Sequence, residues 1–241
     1  MRRAAWVALL VFGACSQKSG PAHAGPSEAE PREQERLHMV SRQIEARGVR
    51  DARVLRAMRE VPRHRFVPEA QRGQAYADRP LPIGHQQTIS QPYIVALMSE
   101  LAAVKPGDTV LEVGTGSGYQ AAVLAEMGVK VFSIEIIKPL AKQAKATLSE
   151  LGYAKKIDVR HGDGYAGWPE HAPFDAIVVT AAPPNIPEPL KRQLKVGGHL
   201  VIPVGKHFQS LLRVTRTKDG FREESVIPVR FVPMTGKAQE Q

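Results

Sequence analysis

From Thr109 onwards the sequence alternates short β-rich runs with helical segments, and this alternation limits the possible folds more than any other feature. Some runs are apolar at successive positions, as in Ala176–Val179, which is typical of parallel strands buried on both faces. Short connections between the runs favour a doubly wound α/β sheet. The predicted strands are Thr109–Val113, Lys130–Ile134, Lys156–Val159, Asp175–Thr180 and His199–Val204, and the helices between them are Tyr119–Glu126, Pro139–Leu151 and Pro187–Leu194.

The pattern differs on either side of this core. Leu211–Thr217 and Ser225–Phe231 predict an antiparallel strand pair at the end of the sheet, joined by a turn at 218–220. Upstream, apolar residues at helical spacing and a proline at a first helical turn predict an N-terminal helical extension. Its helices are Gln34–Arg47, Ala52–Arg59 with Asp51 as its cap, and Pro92–Ala102, and the Pro/Gly-punctuated stretch Val61–Gln91 between them predicts loop and turn.

Residues 1–31 differ in composition from the rest. Arg2 and Arg3 precede an apolar run, Ala4–Ala14, that is too short to span a bilayer and is typical of a secretory signal. The run ends at Cys15 in a segment that resembles a bacterial lipoprotein box, so export to the periplasm or a lipid anchor at Cys15 is one expectation. The alternative is a cytoplasmic enzyme with a mis-assigned start. We therefore divide the chain into a signal-like segment 1–15, a flexible linker 16–31 and a catalytic domain 32–241.

Charge and cysteine content exclude some classes of protein. The net charge of +9 favours anionic partners in general, but the basic residues are spread over the whole chain. One cysteine excludes an internal disulfide framework and a cysteine-rich zinc site. The eight histidines show no spacing such as H-E-x-x-H, so we expect no metal.

The strongest motif is the glycine-rich segment 111–119, L-E-V-G-T-G-S-G-Y, which follows a predicted strand and opens a helix. This placement lets backbone N–H groups approach a ligand at a helix N-terminus, although the glycines could also be plain turn formers. The spacing differs from the G-x-G-x-x-G of pyrophosphate binders and from the P-loop. With an acid two residues before its first glycine, the segment resembles the S-adenosylmethionine loop of class I methyltransferases.

Two more acids suit that ligand. Glu135 ends the second predicted strand, where a carboxylate accepts hydrogen bonds from both ribose hydroxyls. Asp163 follows the third strand, at the position where such folds contact the adenine amino group. Because Glu135 and Asp163 follow the glycine loop at the intervals that suit this ligand, the three glycines indicate a binding loop rather than plain turns.

Further segments make the resemblance specific. The chain resembles the protein-L-isoaspartate O-methyltransferase family over residues 34–236. The matching segments are Val61–Pro68, Tyr76–Ile83, Gln87–Pro92, the 111–119 loop, Gly162–Gly164, Thr180–Pro183 and Val201–Gly205. The resemblance implies a Rossmann-like class I methyltransferase fold and S-adenosyl-L-methionine as cofactor. It also implies methylation of L-isoaspartyl and some D-aspartyl carboxylates in damaged proteins, and it favours a cytoplasmic location.

The resemblance also assigns residues to roles. Ser90 matches the catalytic serine, although by position it could equally cap the helix that begins at Pro92. The expected cofactor-binding residues are Thr88, Ile89, Glu112, Gly114, Thr115, Gly116, Gly118, Tyr119, Glu135, Asp163, Gly164 and Thr235. Substrate main-chain hydrogen bonds are expected at Ala181, Ala182 and Pro183, at the carboxyl edge of the sheet.

Smaller expectations concern single side chains. Asp78 either holds the 61–91 loop or is a surface acid. Arg63, His64 and Arg65 either attract an anionic substrate or form a solvated basic turn. The Asp219-Gly220 turn is expected to isomerise and become a substrate of the enzyme itself, whereas a buried Asp163 is not.

Two other function classes remain open from the sequence alone. The positive charge is compatible with a nucleic-acid methyltransferase, but the chain lacks an aromatic-rich basic segment and an Asp-Pro-Pro-Tyr-like motif. A non-catalytic envelope protein that kept the fold is the third class. We expect a monomer, no nucleic-acid partner, and a membrane tether only through the N-terminal segment.

Overall fold

The computed structural model describes Met1 and residues 29–240. Apart from Met1, the predicted signal segment lies outside the described residues, as does most of the linker. Within the described part of the chain, no helix is long and apolar enough to cross a membrane. The same residues contain no group of three or more His, Cys, Asp or Glu side chains placed to hold a metal ion.

A seven-stranded sheet forms the centre of the molecule, in the order β5-β4-β3-β6-β7-β8-β9. Strands β3 to β7 are parallel, and β8 and β9 add an antiparallel pair at one edge. This confirms the predicted fold class. The strands are β3 (Thr109–Val113), β4 (Lys130–Glu135), β5 (Ile157–His161), β6 (Phe174–Val179), β7 (Leu194–Val204), β8 (Gln209–Arg216) and β9 (Phe221–Val229).

Successive residues of the central strands pack into two different apolar clusters, because side chains alternate between the faces of a strand. In β6, Ala176 and Val178 belong to one cluster, and Ile177 and Val179 belong to the other. Both faces are therefore covered, which explains the continuous apolar runs of the sequence.

The described residues form six α-helices: α1 (Ala29–Met39), α2 (Ala52–Glu60), α3 (Pro92–Leu101), α4 (Tyr119–Glu126), α5 (Lys138–Glu150) and α6 (Glu188–Arg192). The prediction of one regular helix over Gln34–Arg47 was wrong in detail. After α1 the chain widens into a π-helical turn, Val40–Ile44, and then a 3₁₀ turn that Gly48 ends at φ +99°. Val40 and Ile44 are both fully buried in this arrangement.

Two local predictions are confirmed. Asp51 caps α2, since its side chain accepts hydrogen bonds from the backbone N–H groups of Arg53 and Val54. Pro92 lies in the first turn of α3, where a missing N–H costs nothing.

The stretch 61–91 contains a hairpin that the sequence prediction missed. Strands β1 (Leu81–Gly84) and β2 (Gln87–Ile89) pair antiparallel, and the turn residues His85 and Gln86 both have positive φ, at 51° and 58°. Such turns usually carry Asn-Gly or Asp-Gly, and His85-Gln86 is neither, so the predicted loop and turn could not be recognised as a hairpin. The hairpin matters because it places Thr88 and Ser90 beside the glycine loop.

The sheet has a topological switch point between β3 and β6. The chain runs from β3 to β4 and β5 on one side, and β6 and β7 continue on the other side. Open α/β sheets bind ligands in the crevice at the carboxyl ends of the strands that flank such a point.

Candidate active site

The glycine loop leaves β3 at the switch point with three left-handed glycines. Gly114, Gly116 and Gly118 have φ values of 97°, 53° and 91°. A side chain at Gly114 would collide with the Thr180 hydroxyl at the end of β6. The glycines are therefore required by backbone conformation, and at Gly114 also by the neighbouring strand.

Glu135 lies at the carboxyl end of β4 and is 5% exposed. One oxygen of its carboxylate accepts the Gly116 N–H at 2.8 Å, and the other accepts the Ile137 N–H at 2.8 Å. A carboxylate oxygen can accept more than one hydrogen bond, so both oxygens retain capacity for a pair of hydroxyl donors. This chemistry fits the ribose of a nucleoside.

The Asp163-Gly164 pair follows β5 at the same edge. Gly164 is buried against Val113, and a side chain there would collide with Val113. The carboxylate of Asp163 accepts the Tyr165 and Lys237 N–H groups, each at 2.9 Å. Asp163 is half-buried rather than fully buried as expected, because it lies under the C-terminal segment instead of in the core.

Glu112 lies behind the loop rather than in the crevice. It is fully buried on β3 and accepts a hydrogen bond from Ser133, its register partner on β4. Ser133 is in turn bonded to Thr115 at 2.5 Å. Burial raises the pKa of the Glu112 carboxyl to about 8. The three side chains connect the loop to the strands beneath it.

A narrow cleft runs along this edge, and we call it the glycine-loop cleft. One part of the lining comes from the β1–β2 hairpin and from the carboxyl ends of β3 and β4. The other part comes from the end of β6 and from the C-terminal segment. Its lining includes Thr88, Gly114, Gly116, Glu135, Gly164, Thr180, Ala181 and Val232–Thr235. It encloses about 70 Å³, well below the roughly 300 Å³ of a small-molecule site.

A larger cavity of about 650 Å³ adjoins the cleft, and we call it the outer cavity. It shares Thr88, Thr180 and Val232 with the glycine-loop cleft. A third, small space, the inner cavity, lies beside residues 114–120 and is also lined by Ser90. The hairpin and the β6 end thus form the wall where the three spaces meet.

Ser90 lines both the outer and the inner cavity. The alternative prediction that Ser90 caps α3 was wrong. The N-cap residue of α3 is Gln91, and no side chain makes a capping hydrogen bond to this helix. Within the described residues, the Ser90 hydroxyl has no hydrogen-bond partner, whereas the Ser90 carbonyl accepts a bond from Arg63. The hydroxyl is therefore free to bind a ligand.

Both expectations for Arg63 were wrong. The residue is neither exposed on the surface to attract a substrate nor part of a solvated turn. Its side chain is fully buried and donates to the carbonyls of Ala75 and Ser90, each at 2.7 Å. Its guanidinium lies 4.9 Å from the ring centre of Tyr119. Burial lowers the pKa of Arg63 to about 10, so it remains charged at neutral pH. It joins the Ser90 backbone to the start of α4.

The neighbours of Arg63 hold surrounding elements together. His64 bonds to the Tyr76 hydroxyl at 2.7 Å, and burial together with nearby arginines lowers its pKa to about 4. Arg65 pairs with Glu150 of α5. Asp78 pairs with Arg47 at 2.9 Å, which ties the 61–91 loop to the N-terminal helices as one expectation stated.

The remaining predicted residues lie at different depths. Tyr119 and Ile89 are buried and border only the inner cavity, and burial raises the pKa of Tyr119. Gly118 is the N-cap residue of α4, and Thr235 borders the glycine-loop cleft. Their contacts with a cofactor stay predictions.

The expected substrate contacts at 181–183 need correction in part. The N–H and C=O of Ala182 are already bonded to Val232 and Met234, and the Pro183 carbonyl accepts the Gly205 N–H. The Ala182 N–H is therefore not available to a substrate, whereas the two carbonyl oxygens can each accept a second hydrogen bond, and their contacts with a substrate stay predictions. Ala181 does line the glycine-loop cleft.

Sequence reasoning missed Thr180 as a site residue and did not predict that Arg63 is buried. Thr180 lines all three spaces and its hydroxyl donates to the Gly114 carbonyl. A signal for it existed, since Thr180 is the first polar residue after the apolar strand β6. The burial of Arg63 had no such signal, because it sits in a run of three basic residues.

Comparison with known proteins agrees with this geometry. Residues 34–239 match the family described as protein-L-isoaspartate(D-aspartate) O-methyltransferase. The protein-L-isoaspartate O-methyltransferase of Gloeobacter violaceus is 59% identical over 205 residues, which cover 84% of this chain and 100% of the relative. That of Opitutus terrae is 56% identical, covering 90% of this chain and 92% of the relative.

The fold is also similar to solved structures. A Plasmodium falciparum protein described as a protein-L-isoaspartate O-methyltransferase was crystallised in complex with S-adenosyl-L-homocysteine. It is 27% identical with a TM-score of 0.73, covering 83% of this chain and 98% of that one. Another structure of that name is 28% identical with a TM-score of 0.77, covering 86% of this chain and 67% of that one.

Proposed function

Because the chain belongs to the protein-L-isoaspartate(D-aspartate) O-methyltransferase family, we infer that it transfers a methyl group from S-adenosylmethionine to the carboxylate of isoaspartyl residues in damaged proteins. The alternative of a nucleic-acid or small-molecule acceptor is not favoured by this membership. Transfer to D-aspartyl residues is part of the proposal and is supported by the family's description.

The residues of the glycine-loop cleft fit the cofactor. Glu135 offers acceptors for the ribose hydroxyls, and the left-handed glycines keep side chains away from the ligand. When bound, S-adenosylmethionine supplies a methyl group attached to a positively charged sulfur. We propose that Asp163 and Thr235 complete the site at its far end, under the C-terminal segment.

The acceptor needs no general base. An unperturbed carboxylic acid has a pKa of about 4, so the isoaspartyl group is already an anion at neutral pH. Because charge is neutralised during transfer, the protein has to align the reacting groups and exclude water rather than stabilise a new charge. The site accordingly contains no nucleophile–base pair among the residues named above.

Ser90 is the residue that we propose for alignment. Ser90 lines both the outer and the inner cavity, and its hydroxyl has no hydrogen-bond partner among the described residues; these two observations carry the proposal. A hydrogen bond from Ser90 to one carboxylate oxygen directs the other oxygen towards the glycine loop. Arg63 holds the Ser90 backbone at 2.7 Å and so fixes the position of the hydroxyl.

Two measurements test these assignments. Methyl transfer to an isoaspartyl peptide, beside the same peptide with normal aspartate, tests the activity. Ser90→Ala is expected to lower kcat on the order of 10²-fold, with the dissociation constant of S-adenosylhomocysteine unchanged. Ser149→Ala, at an exposed position on α5, is the matched control. A wild-type kcat in Ser90→Ala would remove Ser90 from the mechanism.

We also propose that residues 1–15 direct export, with Cys15 as the site of lipid attachment. The support is the sequence of this segment: two arginines, an apolar run of eleven residues and the only cysteine of the chain. Cell fractionation with Cys15→Ser tests it, since loss of the lipid is expected to move the protein from the membrane to the soluble fraction. A full-length, unprocessed protein in the cytosol would contradict export.

The expected oligomeric state is a monomer. Light scattering of the purified protein at micromolar concentration tests this, and a stable dimer would contradict it.

A further inference from the structure

The outer cavity has a feature that the methylation reaction alone does not require. Its two charged lining residues are Arg47 and Arg230, and the described residues that line it include no aspartate or glutamate. The reacting carboxylate is accounted for by Ser90. Arg47 already pairs with Asp78, and neither arginine is needed for the proposed methyl transfer.

The size of the cavity leaves room for more than the isoaspartyl group. Its volume of about 650 Å³ lies within the roughly 300–1,000 Å³ that is typical of ligand-binding sites. The residues Pro80, Tyr93, Ile94, Ile227, Pro228, Val229 and Phe231 give it apolar and aromatic walls. Such a space suits several residues of an extended peptide, with apolar walls against its backbone and side-chain stems.

Arg230 is the better placed of the two cations. It is exposed at the end of β9, and within the part of the chain that the structure describes no carboxylate pairs with it. It precedes by two residues Val232, which lines both the outer cavity and the glycine-loop cleft. Two residues of extended chain span about 7 Å, so Arg230 lies within a few peptide residues of the reacting group.

Arg47 provides a second positive group with a fixed position. Its guanidinium stacks 3.5 Å from the ring centre of Tyr93, and one nitrogen bonds to Asp78 at 2.9 Å. An arginine has five N–H donors, so this pairing leaves others available. The side chain remains 44% exposed.

We propose that the outer cavity selects isoaspartyl sites that have an acidic residue within about three positions of the damaged one, with Arg230 as the main determinant of this specificity and Arg47 as the second. The proposal rests on the inferred methyltransferase activity and names the class of peptide which that activity prefers. The preference is a matter of charge complementarity, because both guanidinium groups border the space the flanking residues occupy.

The expected size of the preference is modest, since exposed ion pairs are screened by water. One such pair favours a peptide with Glu over the same peptide with Gln by about two- to fivefold in kcat/KM. A Lys-containing peptide is disfavoured by a similar factor. At 1 M salt, where the screening length is about 3 Å, the preference is expected to disappear.

The test uses the full-length enzyme and a set of isoaspartyl peptides that differ only in Glu, Gln or Lys at positions two before and two after the isoaspartate. We measure kcat/KM, and separately the dissociation constant of fluorescent peptides in the presence of S-adenosylhomocysteine. Wild type is expected to rank Glu above Gln above Lys in both measurements. Arg230→Gln should reduce the ratio between Glu and Lys peptides, and Arg230→Glu should reverse the order.

The matched control is Arg222→Gln. Arg222 lies on the same strand, its side chain is 66% exposed beside Glu224, and it does not line the outer cavity. The ratio between Glu and Lys peptides should remain at its wild-type value in this variant. Circular dichroism and urea midpoints establish that each variant is folded before ratios are compared.

The outcomes separate this inference from the proposed function. If every isoaspartyl peptide is methylated equally well, or if Arg230→Glu keeps the wild-type order, the charge selection is wrong while the activity stands. If no isoaspartyl peptide is methylated, the proposed function fails, and the peptide dissociation constants alone decide whether the cavity selects acidic flanks.

Discussion

Glu135→Gln separates the two tasks that the structure gives to this carboxylate. In the folded protein its two oxygens accept the N–H groups of Gly116 and Ile137, each at 2.8 Å, at a site only 5% exposed. A glutamine has one acceptor and one donor end, so in either orientation its NH₂ faces one of the two N–H donors. One buried N–H is then unpaired, which costs about 1–3 kcal/mol of unfolding free energy.

The same change weakens cofactor binding by a separate amount. A hydrogen bond to a charged group contributes about 1.5–3 kcal/mol, and one of the two expected ribose contacts is lost. At about 1.4 kcal/mol for each factor of ten, the dissociation constant should rise roughly 10- to 100-fold. Isothermal titration calorimetry with S-adenosylhomocysteine measures this, and urea unfolding of the ligand-free protein measures the first effect.

An analogue that lacks both ribose hydroxyls gives the decisive control. Wild type and Glu135→Gln should bind it with nearly equal affinity, because the contact that the substitution removes is already absent. Glu170→Gln, an exposed acid outside the cleft, controls for the loss of one negative charge. If Glu135→Gln loses stability yet binds S-adenosylhomocysteine as tightly as wild type, Glu135 only supports the loop and the assignment to ribose is refuted.

Three further substitutions test other parts of the site. Gly114→Ala should destabilise the protein and weaken S-adenosylhomocysteine binding at least tenfold. The control Gly107→Ala, with a similar φ of 91° but open space around it, should cost about 1–2 kcal/mol of stability and leave binding unchanged. Equal effects of the two substitutions in calorimetry would show that the collision with Thr180 is unimportant. Arg63→Lys should lower kcat more than it changes cofactor binding, because lysine lacks the guanidinium fork that binds the Ala75 and Ser90 carbonyls. The control Arg65→Lys should leave both kcat and cofactor binding unchanged. A wild-type kcat in Arg63→Lys would exclude Arg63 from positioning Ser90. Glu112→Gln tests pH dependence, because the native pKa of about 8 lies above the unfolded value of 4.5. Between these two pKa values only the unfolded state releases the proton, so the stability of the wild type should fall relative to that of the variant from pH 5 to pH 8 in urea titrations. Parallel stability curves for the two proteins would contradict this prediction.

The parallel core of the fold could be predicted because its sequence pattern and its burial agree. Strand β3 has the predicted bounds, and β6 differs by one residue at each end, since both are apolar on two faces. Strand β7 begins at Leu194 rather than at the predicted His199. The intervening Gly197 and Gly198 conceal it, because glycines weaken a strand pattern without always ending a strand.

The prediction of the site succeeded where a role depends on chain position and failed where it depends on packing between distant segments. Glu135 ends β4 and Gly114 follows β3, so the sheet itself brings them to one edge. Arg63 is buried only because Tyr119, Ala75 and the Ser90 backbone enclose it, and these contacts span 12 to 56 positions of the chain. Nothing in the local run of basic residues indicates that enclosure.

The position of the shared wall explains how the chain carries out this reaction without a catalytic base. Thr88 on the β2 hairpin and Thr180 at the end of β6 both border the glycine-loop cleft and the outer cavity, so groups bound on the two sides approach each other across a boundary set by rigid elements. A buried cation, Arg63, fixes the Ser90 backbone at that boundary. Alignment is then built into the fold before either partner binds, and alignment is what a reaction between an existing anion and an existing cation requires.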